Sequence, residues 1–340
     1  MAVATGQESK EIVTKRFIGL GAFGVVAVNP TREEQNKILE QDFSSEEISY
    51  VGETTVKDKN NQDVKVPQVR ITILMKTDPT IACNNGIEEF FFPSFFVAKA
   101  AQYSFKDGVT KLQVIDKYGR TAWVTEEQLK NHVIPEYIIK KDGPRKGQTM
   151  KANICPDYRV AYIGEENLVK FIIAYLNIPR PDVWDAESKT FVMKTDPKEL
   201  AKSECLLEDI KKYFEGNVNE IRNTLKFQPK NRVKLMTGVR TAQNGAQYQD
   251  FYLQEPLKLA VTNYKVLEDA LKADKAAGRH PNTEYRVCNL MEFKAAATDY
   301  SAGDSATSQN DPDPFAATNQ QQEVVKVVEE QPADADPFEM

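Results

Sequence analysis

The final 46 residues of the chain carry almost no material for a core, and this splits the sequence into two parts with different physics. Residues 295–340 hold ten acidic residues (Asp299, Asp304, Asp311, Asp313, Glu323, Glu329, Glu330, Asp334, Asp336 and Glu339) against the single Lys326, a net of −9. The other 294 residues keep 43 basic and 40 acidic side chains, so an acidic whole of net −6 hides a mildly basic body near +3. The tail is rich in Ala, Ser, Thr, Asn, Gln, Asp and Pro, with isolated Phe315 and Phe338 and a short Val324-Val-Lys-Val-Val328 run. Such a composition cannot offset chain entropy, and a disordered acidic tail is expected. Two Asp-Pro-Phe copies, ending at Phe315 and Phe338, place an aromatic anchor, a rigid proline and flanking carboxylates in this polar stretch. A hook of that kind suits an apolar pocket rimmed by Arg or Lys.

The body, residues 1–294, is large enough for one elaborated domain or two smaller ones. No run approaches the ~20 apolar residues of a membrane span, and the opening residues hold no basic segment followed by an apolar one, so a cytoplasmic protein is expected. Cys83, Cys155, Cys205 and Cys288 form no CxxC pair and only His132 and His280 accompany them, so reduced structural thiols are expected, with no metal and no cofactor.

Along the body, strands are expected first. Residues 12–18 and 22–28 are apolar and β-branched, and a short helix over 31–41 is opened by Asn29-Pro30 and early acidic residues. Val69, Ile71, Ile73 and Met75 alternate as in a half-buried strand, an aromatic strand over 88–97 is interrupted at Pro93, and residues 111–116 and 120–125 flank Lys117-Tyr118-Gly119 as a hairpin. A strand over 158–163 precedes helices over 165–176 and from Leu207 to about Leu225, read together as a helical insertion spanning about 164–226. Strands over 232–240 and 246–253, a helix over 261–277 and a strand over 285–293 complete the body.

The loop Ile139-Lys-Lys-Asp-Gly-Pro-Arg-Lys-Gly147 concentrates Lys140, Lys141, Arg145 and Lys146, with Lys151 just beyond. Strand alternation puts Val233, Leu235 and Val239 on one face and Arg232, Lys234 and Arg240 on the other, with Lys230 nearby in sequence. Cations of this kind suit a groove that follows a phosphate backbone, alongside Arg159. Interleaved aromatics, among them Tyr118, Trp123, Tyr158 and Tyr162, would supply faces for base stacking at ~1–3 kcal/mol each.

Enzyme signatures fail individually. Gly19-Leu-Gly-Ala-Phe-Gly24 matches a kinase glycine loop, yet Val26-Ala-Val-Asn29 lacks the lysine such a loop needs, and no His-Arg-Asp or Asp-Phe-Gly follows. A dinucleotide fold needs a helix to start at the glycines, where strand continues instead. No phosphate-binding Walker loop, Gly-x-Ser-x-Gly elbow or metal-spaced carboxylate cluster is present. The glycines read as a strand bend or bulge, and the chain as a non-enzyme.

Asp116-Lys-Tyr-Gly-Arg-Thr-Ala-Trp-Val-Thr125, Tyr162-Ile-Gly-Glu-Glu-Asn-Leu-Val-Lys-Phe171 and Leu176-Asn-Ile-Pro179 are similar to segments of tailed-bacteriophage single-stranded DNA-binding proteins, the T4-type helix-destabilising protein and its relatives in large phages. The resemblance implies an α+β fold with an OB-like β-barrel core elaborated by inserted helices, single-stranded DNA as ligand in replication and recombination, and an infected bacterial host cell as the setting. It also implies a tail that recruits a polymerase, primase or helicase. Asp334-Ala-Asp-Pro-Phe338 resembles the Asp-Ile-Pro-Phe tip of bacterial single-strand binding proteins, which would give anchoring to Pro337 and Phe338 and charge pairing to Asp334 and Asp336; here Glu339 and Met340 follow. The histidine and cysteine cluster of the T4-type protein has no counterpart. The rival reading is a non-enzymatic phage structural, packaged or adaptor protein that docks partners through its Asp-Pro-Phe peptides.

Overall fold

The computed structural model describes residues 13–40, 47–81, 84, 86–140, 143, 145–188, 190–205, 210–215, 222–223, 231–241, 247–251, 257–258, 276, 283–284 and 289–294. The expected disordered tail, 295–340, lies outside them, as does the expected helix over 261–277 apart from residue 276.

The protein is mixed α+β and mostly strands, with few helices, and its main antiparallel sheet curls into a half-barrel. At the centre of that sheet is β1 (Val13–Val28). It pairs in turn with β19 (Asn289–Lys294), β15 (Val233–Thr241) and β3 (Asp63–Thr77). The exchange from β19 to β15 falls at Gly19, whose φ of 121° is open to glycine and strained for other residues, and a register shift at Val25/Ala27 bends the strand again. Gly19 therefore serves a change of pairing within a continuous strand, in keeping with the bend or bulge expected of the Gly19–Gly24 segment. Around β3 gather β2 (Val51–Lys57), β4 (Phe90–Phe91) and β5 (Ser94–Ala101), the break between the last two falling at Phe92-Pro93. Pro93 has no N–H to give to a ladder. Following β1, Thr31 caps α1 (Arg32–Leu39) through a reciprocal bond with Glu34.

A second, smaller sheet joins β6 (Tyr103–Ser104), β7 (Lys111–Ile115), β8 (Thr121–Val124) and β11 (Arg159–Val160). Its β7–β8 turn is held by buried Asp116, whose Oδ1 accepts from the Tyr118 and Arg120 amides at 2.8 and 3.0 Å, with Gly119 at φ 79°. The short helix α2 (Glu126–Lys130) follows. The strand expected over 158–163 is divided: after β11 the chain crosses at buried Ala161 to β12 (Tyr162–Ile163), which pairs with β5 in the large sheet.

Helix α3 (Glu165–Tyr175) lies where the two sheets meet. Leu168, Phe171, Ile172 and Tyr175 share a core cluster with Phe23, Ile71, Ile73, Met75, Phe95 and Val97, and Phe95 and Phe171 ring centres are 5.3 Å apart. Each such side chain contributes about 1.5–3 kcal/mol on burial. Its Glu166 reaches the other way, accepting from Gln113 of β7 at 2.6 Å and from Thr121 of β8 at 3.2 Å.

Residues 164–226 do not form the purely helical insertion expected. After α3 comes a β-hairpin, β13 (Asp182–Asp185) and β14 (Thr190–Met193), then α4 (Pro197–Lys202) and α5 (Ile210–Tyr213). Of the expected second long helix the described residues are 210–215, which hold α5 and a following turn, and the helical pair 222–223. No helix among the described residues is long and apolar enough to cross a membrane.

Candidate nucleic-acid interface

The basic loop over 139–147 is the tip of a two-stranded hairpin, β9 (Glu136–Ile138) and β10 (Thr149–Lys151). The Gly147 amide donates to the Ile139 carbonyl at 2.8 Å and the Ile139 amide to that of Gln148 at 3.0 Å, while Gly147 takes φ 82°. Further turns, Lys146 to Gly143 and Gln148 to Arg145, fold the tip. Lys140, Lys146 and Lys151 are exposed on it and Arg145 is half-buried; Lys141 lies outside the described residues. Ile138, at 59% exposure, is the most exposed large apolar side chain described.

Just past β10, the Asn153 side-chain amide donates to Asp182 Oδ2 at 2.7 Å, where β13 begins. Asp182 also receives Arg180 Nε at 2.9 Å, and Arg120 Nη1 stands 3.9 Å from it. Arg120 in turn bonds buried Asp116, whose Oδ2 also takes the Cys155 amide. This polar chain fastens the bases of the cationic hairpin and of the β13–β14 hairpin to the β7–β8 turn. On β13–β14, Trp184 opposes Phe191 and Val183 opposes Val192, so the aromatics occupy one face and the valines the other. Trp184 is 44% exposed. The Arg180 guanidinium lies 3.9 Å from the Phe191 ring centre. Sequence reasoning passed over Trp184, Phe191 and Arg180. The available signal was β-formers on both sides of Asp185-Ala-Glu-Ser188, whose Asp185 ties the turn to the Ser188 hydroxyl at 2.6 Å.

The remaining sequence-predicted residues are distributed elsewhere. Tyr118 is buried beneath Lys117 and Arg120, and so presents no ring face to a base. Tyr158 is likewise buried, its hydroxyl donating to the Gln128 and Val133 carbonyls, and desolvation raises its phenol above the usual range. Both belong to the structure of the fold. Half-buried Tyr162 packs edge-on against Phe214 at 5.3 Å. Half-buried Trp123 sits on β8 opposite Gln113. Arg159 forms a two-pronged pair with Glu165, which is fully buried and also accepts the Tyr162 amide, so its charge is spent on seating the start of α3.

The cationic face expected on β15 is corrected by burial. Lys234 is 5% exposed and Met236 equally so, while Val233 and Leu235 enter the core, so both faces of this strand are covered. Alternation assigns side chains to opposite faces; it does not require the second face to meet water. Arg232 lies over Gly24 and pairs with Asp78 at 3.0 Å. Lys230, the Arg240 side chain and Asp334, Asp336, Pro337 and Phe338 lie outside the described residues. The structure thus brings together Lys140, Arg145, Lys146 and Lys151, and places Lys234 in a different sheet, with Arg232 just ahead of its strand β15.

The chain matches no protein-family model, no curated protein and no solved structure.

Proposed function

We infer that the body binds single-stranded DNA without sequence preference and that its acidic tail recruits replication proteins. The observation that carries this reading is the exposed β9–β10 hairpin, where Lys140, Arg145, Lys146 and Lys151 stand on one short projection. A flexible polyanion can follow such a projection by charge alone, each phosphate contact releasing condensed counterions. The curled antiparallel sheet is compatible with an OB-like barrel elaborated by α3 and the hairpins, which is the fold we assign to the body. In this reading, residues 295–340, with net charge −9, compete with DNA for the cationic hairpin at distances within the screening length of about 8 Å. DNA occupancy then releases Asp334, Asp336, Pro337 and Phe338 to a polymerase, primase or helicase.

The test is a titration of the full chain with labelled oligothymidylate and with duplex of equal length at rising salt. Tighter binding to the single strand, weakening linearly in logarithmic salt, is the expected result. Absence of binding at low salt would overturn the reading and favour an adaptor that works through its Asp-Pro-Phe peptides.

A further inference from the structure

The β13–β14 hairpin leaves Trp184 44% exposed, with its indole in contact with Phe191. Trp184 meets Phe191 edge-on, with ring centres 5.2 Å apart at 65°, so the two rings form a corner with their outer faces turned apart. Arg180 extends the corner by lying over Phe191, and its side chain remains half exposed. The adjacent Val183 and Val192 are exposed on the opposite face, so the hairpin projects as a blade with apolar side chains on both sides.

Its position decides what such a blade meets. The Asn153–Asp182 bond joins its root to the end of β10, so the aromatic corner and the lysine-bearing hairpin rise from one place. Carboxylates near the blade are unevenly placed: Asp182 is consumed at the root by Arg180 and Asn153, whereas Asp185 and Glu187 lie at the turn. With Asp182 neutralised by Arg180, a polyanion has its favourable approach along the root, beside Lys194, and the aromatic corner lies next to that line. Planar bases have a face to offer Trp184 whatever their identity, and a guanidinium already stacked on a ring extends the platform.

We propose that Trp184, with Phe191 and Arg180, is a base-stacking site for single-stranded DNA, taking unpaired nucleobases while the β9–β10 lysines take their phosphates. This rests on the single-strand-binding reading given above. It assigns that reading's stacking role to a residue other than Tyr118 or Tyr158, which are buried.

The experiment compares the full-length wild type with W184A and W184F on two ligands, oligothymidylate and an abasic strand of the same length that keeps every phosphate. Loss of the indole is expected to weaken oligothymidylate binding about tenfold, within the range for one stacked base, and to leave abasic binding and its salt slope unchanged. W184F is expected to fall between, and to lose most of the fluorescence quenching that oligothymidylate causes. That second readout decides the matter if W184A fails to fold. Equal oligothymidylate affinity in W184A and wild type, equal losses on both ligands, or quenching retained in W184F would overturn the stacking site. Self-association lost in W184A with unchanged oligothymidylate affinity would do the same, assigning the blade to a second copy of the chain. If the wild type binds neither strand, the broader reading falls with it.

Discussion

Asn153 Nδ2 donates to Asp182 Oδ2 at 2.7 Å, and that single bond fixes where two exposed hairpins meet. Asp182 is buried and also serves Arg180 at 2.9 Å, with Arg120 close by, so it compensates positive charge within a partly dry junction. Removing it with D182A takes the carboxylate from half-exposed Arg180 and from Asn153 while Arg120 keeps Asp116, and is expected to cost about 2 kcal/mol through the lost charge-assisted bonds. N153A, which removes a donor from a still-compensated carboxylate, is expected to cost about 1 kcal/mol. Urea denaturation of the two variants checks the order: an equal cost would show that Asp182 is not the hub of the junction.

Three glycines differ in what a methyl group would meet. A Cβ on Gly164 would stand 1.9 Å from the Phe96 carbonyl oxygen, with φ at 81°, and backbone there cannot withdraw. G164A is expected to lose more than about 4 kcal/mol or not to fold. At Gly119 the nearest atoms are side-chain methyls, Val169 Cγ1 at 2.5 Å and Ile173 Cδ1 at 2.8 Å, so G119A is expected to cost about 1–3 kcal/mol through overpacking and its φ of 79°. G119A/V169A should recover part of that. Around Gly52 nothing lies within 4 Å, so G52A is expected to stay within about 0.5 kcal/mol of wild type. Thermal midpoints of the four proteins test this series.

The contrast between legible and illegible parts has a local cause. Helix α1 was readable because Asn29-Pro30 and the acidic Glu33 and Glu34 of its first turn mark a start, to which the structure adds a Thr31–Glu34 capping box, and β7–β8 because Gly119 permits the turn that Asp116 closes. Both signals lie inside the segment they specify. Lys234 was misread because its burial is set by covering from elsewhere in the chain, about which the alternation of β15 carries no information. The β13–β14 hairpin was missed for a related reason. Its strands have four residues each, too short for a period to stand out between two helical patterns. Of the site, the cationic tip was legible as a run of charge between Gly and Pro, whereas its neighbour Trp184 is brought there by an Asn–Asp bond spanning 29 positions.

Acid should expose the contribution of Asp78. The Thr80 hydroxyl donates to its carboxylate at 2.6 Å, and the Thr80 amide and Arg232 add to the effect, holding its pKa below the usual value against the opposing effect of desolvation. A group with a lowered folded pKa binds its proton less readily in the native state. Its stabilisation is therefore complete above the unfolded value of about 3.9 and is lost as pH falls through the folded value. D78N removes the charge at every pH. The stability difference between wild type and D78N should accordingly be constant near neutrality and shrink below about pH 4, as followed by thermal midpoint across the acid range. A difference that grows on acidification would contradict the assignment.

Cys205 should be chemically silent in the folded protein. It is buried beside the core that receives α3, and desolvation together with the nearby Glu165 charge pushes its thiol up to about 12. Alkylation proceeds through the thiolate, so almost none of the reactive form exists at mildly alkaline pH even before access is considered. Mass-spectrometric mapping of iodoacetamide adducts should find Cys205 unmodified in native protein and modified once urea unfolds it. Native labelling at a rate comparable to a free thiol would mean that the core around Ile210 and Tyr213 opens readily.

The distribution of positive charge yields a sharper discrimination than affinity alone. Lys140, Lys146 and Lys151 are exposed on one hairpin, whereas Lys234 is buried and Arg232 is engaged with Asp78. If the hairpin lysines each neutralise a phosphate, the K140Q/K146Q/K151Q protein should show a salt slope shallower by about 2 logarithmic units per decade, since each single-strand contact contributes about 0.7. Its folding stability should be unchanged within about 0.5 kcal/mol, as expected for solvated surface positions. R232Q should behave in the opposite manner, losing stability with the Asp78 pair and leaving the salt slope as it was. Measuring both quantities for both proteins separates a cation that grips DNA from one that holds the sheet. A slope reduced by R232Q and untouched by the triple change would move the interface from the β9–β10 tip to β15.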